Sequence, residues 1–365
     1  MLTDKNVRQL YFVMLFLLCC GLGITACTDN PSEDSSTISG IGSQLDVQNS
    51  ATLHDFEGST MGTTYHIKAV LPKSLISSQL EISQLIKSEL NDIESKMSTY
   101  RSDSELTLFN AHPVNSSFVL SPSTIEVLTQ ALYLSNISEG AFDVTVGPLV
   151  NLWGFGPGES HDVVPNKSAL LEAFSRVGYK SLKLDVVSLE LKKTKKVFVD
   201  LSAIAKGYAV DRVINLLHKK GILNVLVEVG GEIRSSGVKP NQMDWRIAIE
   251  TPVAGERSIQ RIISVTDIAM ATSGDYRNYF EINGRRFSHT IDPNSGYPID
   301  HSLASVTVLA NSCMQADGLA TTLMVLGPVK GLAFAEKYNL SAFFIIKTPS
   351  GFKEISTQGF SQYIQ

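Results

Sequence analysis

Apolar positions fall on helical stripes in several long stretches of the chain and alternate or cluster in short runs between them. Ile82, Leu85, Ile86, Leu90, Ile93 and Met97 lie on one helical face. Ser121-Pro122 opens a second helix with an N-cap residue and a proline at its first turn; Ile125, Leu128 and Leu132 form its stripe and Gly140 stops it. Residues 166–177, closed by Gly178, and 203–220, closed by Gly221, follow the same grammar. Helices over 314–326 and 328–338 come late in the chain. Strands are predicted over 61–70, 223–229, 245–250, 261–269, 279–282, 286–291, 305–310 and 341–347. One hairpin is predicted from 182–191 and 196–200, turning on the Lys-Lys-Thr-Lys-Lys run at 192–196, and Asn283-Gly284 marks another. Hairpins mixed with helices predict an α+β fold: a single large domain of mixed, largely antiparallel sheets with packed helices, which could comprise two intimately packed halves.

The N-terminus departs from this pattern. Lys5 and Arg8 precede an apolar run at 10–18, and small residues lead to Cys27. That is the form of a secretory signal. Ile24-Thr25-Ala26-Cys27 resembles the bacterial lipobox, in which the cysteine is lipidated and becomes the new N-terminus. The competing reading is an uncleaved anchor, because 10–26 is just at the short end of a spanning helix. Residues 1–26 are thus expected to be a signal peptide. Cys27 is the expected lipidation site, and 27–52, rich in Ser, Asp and Gly, a flexible tether to a folded domain over 53–365. Thr28, rather than Asp, after the cysteine favours the outer over the inner membrane by resemblance to enterobacterial sorting.

Bulk composition narrows the class. The chain has 365 residues, 43% apolar and 18% charged, with a formal net charge of -5. These are values of a globular protein, and no basic stripe points to nucleic acid. Of the four cysteines, Cys19 and Cys20 leave with the signal and Cys27 takes lipid. Cys313 remains, so no internal disulfide is expected, and it reads as a buried structural thiol.

Candidate chemistry concentrates near the C-terminal end. Asp317 and Thr321 stand four residues apart, so on a helix both oxygens leave one face. A carboxylate with a hydroxyl suits Mg²⁺ and suits zinc poorly, as no second His or Cys is near. Capping and packing are the alternative roles. His289, in a strand-like segment, is either a general base or a hydrogen-bonded structural residue. Asp292-Pro293-Asn294-Ser295-Gly296 is turn chemistry. Asp200 through Lys206 runs from a strand into a helix whose first amides could receive a phosphate, although P-loop spacing is absent. Gly140-Ala141-Phe142-Asp143 and Trp153-Gly154-Phe155-Gly156 could clasp a planar ring or pack in a core, and Tyr100 offers a stacking surface. Val229-Gly230-Gly231-Glu232 is a turn where backbone comes close to something.

Together these pieces resemble the FAD:protein FMN transferases, the ApbE or flavin-trafficking lipoproteins. The likeness runs from Met61-Gly62-Thr63-Thr64-Tyr65 through Tyr100-Arg101, Ala141-Phe142-Asp143, 200–211, Gly230-Gly231-Glu232, Ser273-Gly274-Asp275-Tyr276 and His289 to Ala316-Asp317 and Ala320-Thr321. The resemblance implies a T-fold-related domain that cleaves FAD, passes FMN to a threonine of an acceptor flavoprotein through a phosphoester, and releases AMP. It implies Mg²⁺ held by Asp317, Thr321 and the backbone carbonyl of Ala203. It implies an FAD site of Met61, Tyr100, Ala141, Phe142, Asp143, Asp200, Lys206 and Ile291, with His289 and Asp317 catalytic. Where the family often has Gly-Gly after Asp-Leu, this chain has Ser202-Ala203, a change that a carbonyl ligand survives. The implied acceptors are periplasm-facing subunits such as those of the sodium-pumping NADH:quinone reductase or the Rnf complex. The alternatives are an FAD pyrophosphatase giving free FMN and AMP, and a non-catalytic FAD-binding lipoprotein.

Overall fold

The chain enters the fold through an edge hairpin, β1 (Thr52–Thr60) and β2 (Thr63–Leu71). This computed structural model describes residues 51–156, 162–253, 255 and 258–364; the expected signal peptide, Cys27 and nearly all of the tether lie outside them. Helices α1 (Gln79–Met97) and α2 (Glu105–Ala111), strand β3 (Ser117–Val119) and helices α3 (Pro122–Ile137), α4 (Gly147–Leu152) and α5 (Lys167–Ser175) follow. Strands β4 (Leu182–Asp185) and β5 (Glu190–Lys193) join β3 in a small sheet. Helix α6 (Ala205–Lys219) leads into β6 (Val225–Val229) and β7 (Glu232–Ser236). Then come β8 (Trp245–Glu250), β9 (Ile259–Val265), β10 (Ala269–Gly274), β11 (Tyr279–Ile282), β12 (Arg285–Ser288) and β13 (Leu303–Ala310). Helix α7 (Cys313–Lys337), strands β14 (Ser341–Thr348) and β15 (Gly351–Ser356), and the short α8 (Gln358–Ser361) close the chain.

The organising layer is an eight-stranded sheet in the order β1-β2-β6-β7-β10-β13-β14-β15. Its neighbouring pairs are all antiparallel, as the mixed pattern predicted. Alternation along each strand sends side chains to two cores. Ala269 and Ala271 of β10, Val306 and Val308 of β13, and Ala342 and Phe344 of β14 join the core under the helices. Met270, Leu309, Phe343 and Ile345 point the other way, under the β8–β9 ribbon and α8. A one-residue slip would exchange the two sets, so the register is fixed by both faces at once. A third cluster gathers Leu149, Trp153, Phe280, Phe287 and Ile291, with the Trp153 indole N–H donating to the Gly296 carbonyl at 3.0 Å.

Helix α7 is apolar and long enough to span a membrane by length and composition. Here it is a core helix, with Ala316, Leu319, Ala320, Leu323 and Met324 packed in the main cluster. Its break falls where the sequence predicted two helices, at Gly327 (φ 73°) before Pro328. Where α6 crosses α7 the two backbones nearly touch: a Cβ on Gly207 would lie 2.2 Å from the Cys313 carbonyl oxygen and 2.8 Å from Asp317 Cβ.

Several expected elements moved, each for a local reason. The 182–200 hairpin turns at 186–189, because Asp185 accepts the amides of Val187 and Ser188 and Leu189 adopts φ 58°. Lys193, expected in the turn, is buried in β5 with its ammonium on the carbonyls of Phe109 and Asn110. The run at 261–269 splits into β9 and β10, in different sheets, at Asp267 (φ 53°), whose carboxylate accepts the Gly237 amide. The 286–291 strand ends at Ser288, so His289 lies just past it. Strand β1, an edge strand with Phe56 and Thr60 its buried residues, starts one residue before the expected domain boundary and has too few apolar positions to signal itself.

Gly207→Ala is expected to force α6 from α7 and cost about 1–3 kcal/mol. Thermal unfolding should show Tm lowered by several degrees; an unchanged Tm would contradict the close crossing.

Candidate functional site

The first turn of α7 is pinned from α6. The Asp211 carboxylate accepts the amides of Cys313 and Met314 at 2.9 Å each and pairs with Arg234 at 2.6 Å. Ser312 caps the helix by accepting the Gln315 amide at 3.2 Å. This sets the helical phase, so Asp317 and Thr321, one and two turns on, both line one cavity of about 740 Å³. That volume lies in the usual range for small-molecule sites. Asp317 is buried (3% exposed), and Thr321 Oγ1 stands 3.4 Å from Ser273 Oγ.

The start of α6 faces the same cavity. Asp200 ties the preceding turn by accepting the Ser202 amide at 2.8 Å and the Ser202 hydroxyl at 2.6 Å. The Gly207 amide lies in the first turn of α6, where no acceptor within the helix is available. It donates to Asp317 Oδ2 at 3.0 Å. Among the described residues the Ala203 carbonyl, just before the helix, accepts no hydrogen bond. A carboxylate, a hydroxyl and an open carbonyl line one cavity: an all-oxygen donor set of the kind hard cations take. No group of three His, Cys, Asp or Glu residues that could hold a metal occurs among the described residues.

Lys206 sits between two acids, 3.0 Å from Glu232 Oε1 and 3.8 Å from Asp317 Oδ2. Burial pulls the ammonium pKa down, but the charges of Asp317 and Glu232 more than offset it and the pKa is raised. Burial pushes the Glu232 carboxyl up to about 8 against the pull of Lys206, and it raises Asp317 likewise. Glu232 Oε2 is buried and has no partner among the described residues. The lining as a whole is acidic: Asp143, Asp200, Glu228, Glu232, Glu250 and Asp317 against Lys206 and Arg277.

His289 lines another wall. Its Nδ1 lies 2.9 Å from the Asn278 carbonyl oxygen, which can only accept, so Nδ1 carries the proton and Nε2 is the basic nitrogen. Burial lowers its pKa, and the charge of Lys206 adds to that, while the Asn278 carbonyl and Asp275 oppose. A lowered pKa keeps the imidazole neutral to lower pH than usual, the form a base needs.

Ala141, Phe142 and Asp143 line the cavity from the loop after α3. Asp143 is committed to shaping that loop, accepting the Thr145 amide and hydroxyl at 2.8 and 2.6 Å and the Tyr179 amide at 2.9 Å. Ile291 lines the cavity beyond His289, and Tyr100, 70% exposed, stands on its rim side. Of the residues singled out from sequence, Tyr100, Ala141, Phe142, Asp143, Asp200, Ala203, Lys206, His289, Ile291, Asp317 and Thr321 are brought together here. Met61 is not among the lining: it forms the β1–β2 turn at φ 49°, its amide donated to Glu94. Sequence reasoning passed over Glu232, seen only as part of a glycine turn, and Arg277, which pairs with Glu250 at the cavity wall.

An oxygen-donor cluster, a buried ammonium and a histidine lining one cavity are the arrangement of a candidate enzyme active site for an anionic substrate. The chain belongs to the ApbE family, whose model matches residues 61–344. It is similar to the FAD:protein FMN transferase of Vibrio cholerae, with 48% identity over 310 residues, 84% of this chain and 91% of that protein. The FAD:protein FMN transferase of Haemophilus influenzae is 46% identical over 84% of this chain and 90% of its own length. Among solved structures, the flavin transferase ApbE from Vibrio cholerae superimposes with a TM-score of 0.80 at 45% identity, covering 86% of this chain and 100% of that one. The apo flavinyl transferase ApbE of Pseudomonas stutzeri does so with a TM-score of 0.80 at 41% identity, covering 88% and 99%.

An NMR titration of the imidazoles should place the midpoint of His289 below the ordinary 6.5, with the proton of the neutral ring on Nδ1. A midpoint at or above 6.5 would contradict the environment described.

Proposed function

We propose that the chain is a Mg²⁺-dependent FAD:protein FMN transferase, which moves FMN from FAD to a threonine of an acceptor flavoprotein and releases AMP. The names of its relatives supply the substrate pair. The observation on this chain that carries the reading is the acidity of the cavity: six carboxylates against two basic side chains. A diphosphate is repelled by such a lining unless divalent cations enter with it. The residues fit that requirement, since Asp317, Thr321 and the open Ala203 carbonyl offer the oxygens that would hold Mg²⁺. When bound, the cation neutralises charge on the diphosphate and on the departing AMP.

The chain's own residues supply the rest. Tyr100, largely exposed beside the cavity, presents an aromatic face to a ring of the dinucleotide. Lys206, held charged by its two acids, lends a fixed positive charge beside the phosphates. His289 Nε2 takes the proton of the threonine hydroxyl as its oxygen attacks the phosphorus of the FMN half. The bond from that phosphorus to the bridging oxygen breaks, and AMP leaves with the electron pair. General-base help of this kind is worth about 10²–10⁴-fold. Positioning and charge neutralisation carry most of such a transfer.

The N-terminal pattern supports a lipoprotein anchored through Cys27 and facing the periplasm, with the outer membrane favoured. Its acceptors are then periplasm-exposed flavoprotein subunits, of the sodium-pumping NADH:quinone reductase or Rnf type.

Asp317→Ala is expected to lower Mg²⁺-dependent flavinylation by about 10²-fold or more, since the lost interaction is worth several kcal/mol. The check is in-gel flavin fluorescence of an acceptor domain incubated with FAD and Mg²⁺, beside circular dichroism of the variant. Transfer at the parent rate would overturn the cation assignment. Free FMN and AMP released equally fast with and without acceptor would make the protein a pyrophosphatase.

A further inference from the structure

Glu232 opens β7 directly after the Gly230-Gly231 turn, where both glycines have positive φ (63° and 106°). That turn lies close against Lys206: a Cβ on Gly230 would come within 3.2 Å of Lys206 Cδ. Glu232 is thereby fixed on the cavity wall, 6% exposed, with Oε1 bonded to Lys206 and Oε2 bonded to nothing. A buried carboxylate oxygen without a donor is costly to leave unpaired. What the position lacks is a donor, or a positive charge, delivered from the cavity. The local charges agree. Asp317 and Glu232 share the one ammonium of Lys206, and a cation bound beside them would favour the ionised form of both.

We propose that Glu232 is a second carboxylate of the cation site, holding Lys206 through Oε1 and receiving a water of the bound divalent cation through Oε2. The assignment rests on the Mg²⁺ reading above. Mg²⁺ keeps several of its waters when bound, and those waters are strong donors. A carboxylate that accepts from them tunes affinity without being a direct ligand, and removing such a group typically costs about 10–100-fold in metal binding. Glu232 also restrains Lys206, so the ammonium is held off full pairing with Asp317, whose oxygens stay available.

The test is direct cation binding to the full chain without FAD, using Mn²⁺ followed by electron paramagnetic resonance. Glu232→Gln keeps the shape and an acceptor for Lys206 but removes the charge. It should weaken Mn²⁺ binding about 10–100-fold and raise the Mg²⁺ concentration for half-maximal FMN transfer by a similar factor. Glu232→Asp keeps the charge and withdraws the oxygen, and should weaken binding to an intermediate degree; it decides the matter if Glu232→Gln fails to fold. Mn²⁺ binding equal to that of the parent in the folded variant would overturn the proposal, even if turnover fell. If the parent protein bound no Mn²⁺ and transferred FMN in the presence of a chelator, the Mg²⁺ reading itself would fail and this assignment with it.

Discussion

The hydrogen bond from the Gly207 amide to the Asp317 carboxylate is the contact on which the site depends. It exists because α6 and α7 cross where a side chain on residue 207 has no room. That bond fixes the buried carboxylate and brings Lys206 alongside Asp317. A backbone amide thus stabilises an acid inside the protein, where burial alone would favour its neutral form. The sheet beneath fixes where the two helices lie, because its strands are locked in register by cores on both faces.

The acidity of the cavity follows from the same construction. Carboxylates come from separate parts of the chain, each with a local role: Asp200 ties the turn before α6, Asp143 shapes the loop after α3, and Glu250 pairs with Arg277. Together they make a lining that selects against a bare polyanion. On the proposed Mg²⁺ reading, dependence on a divalent cation would belong to the whole pocket rather than to two or three ligands. It also makes the cation and the diphosphate mutually dependent in binding, since each removes the charge that opposes the other.

Much of this was legible in the sequence. The helix stripes, the break at Gly327-Pro328 and the spacing of Asp317 and Thr321 were carried by local rules, and local contacts decide them. The α+β class followed from hairpins mixed with helices. What escaped was set at a distance. β1 is an edge strand whose faces are mostly polar, so alternation could not reveal it. Lys193 looked like a turn residue until two carbonyls from α2 were found around its ammonium. Glu232 carried no signal because its meaning depends on Lys206, which lies 26 positions earlier in the chain and is brought to it by folding. The open carbonyl of Ala203 is visible only once the point where α6 begins is known.

The central claim is that this cavity accepts a diphosphate only in company with a divalent cation. Quenching of FAD fluorescence, titrated with protein in Mg²⁺ and again in excess chelator, tests it most directly. The account predicts that affinity for FAD falls at least about tenfold when the cation is removed, a difference of about 1.4 kcal/mol. Equal affinity in the two conditions would contradict it.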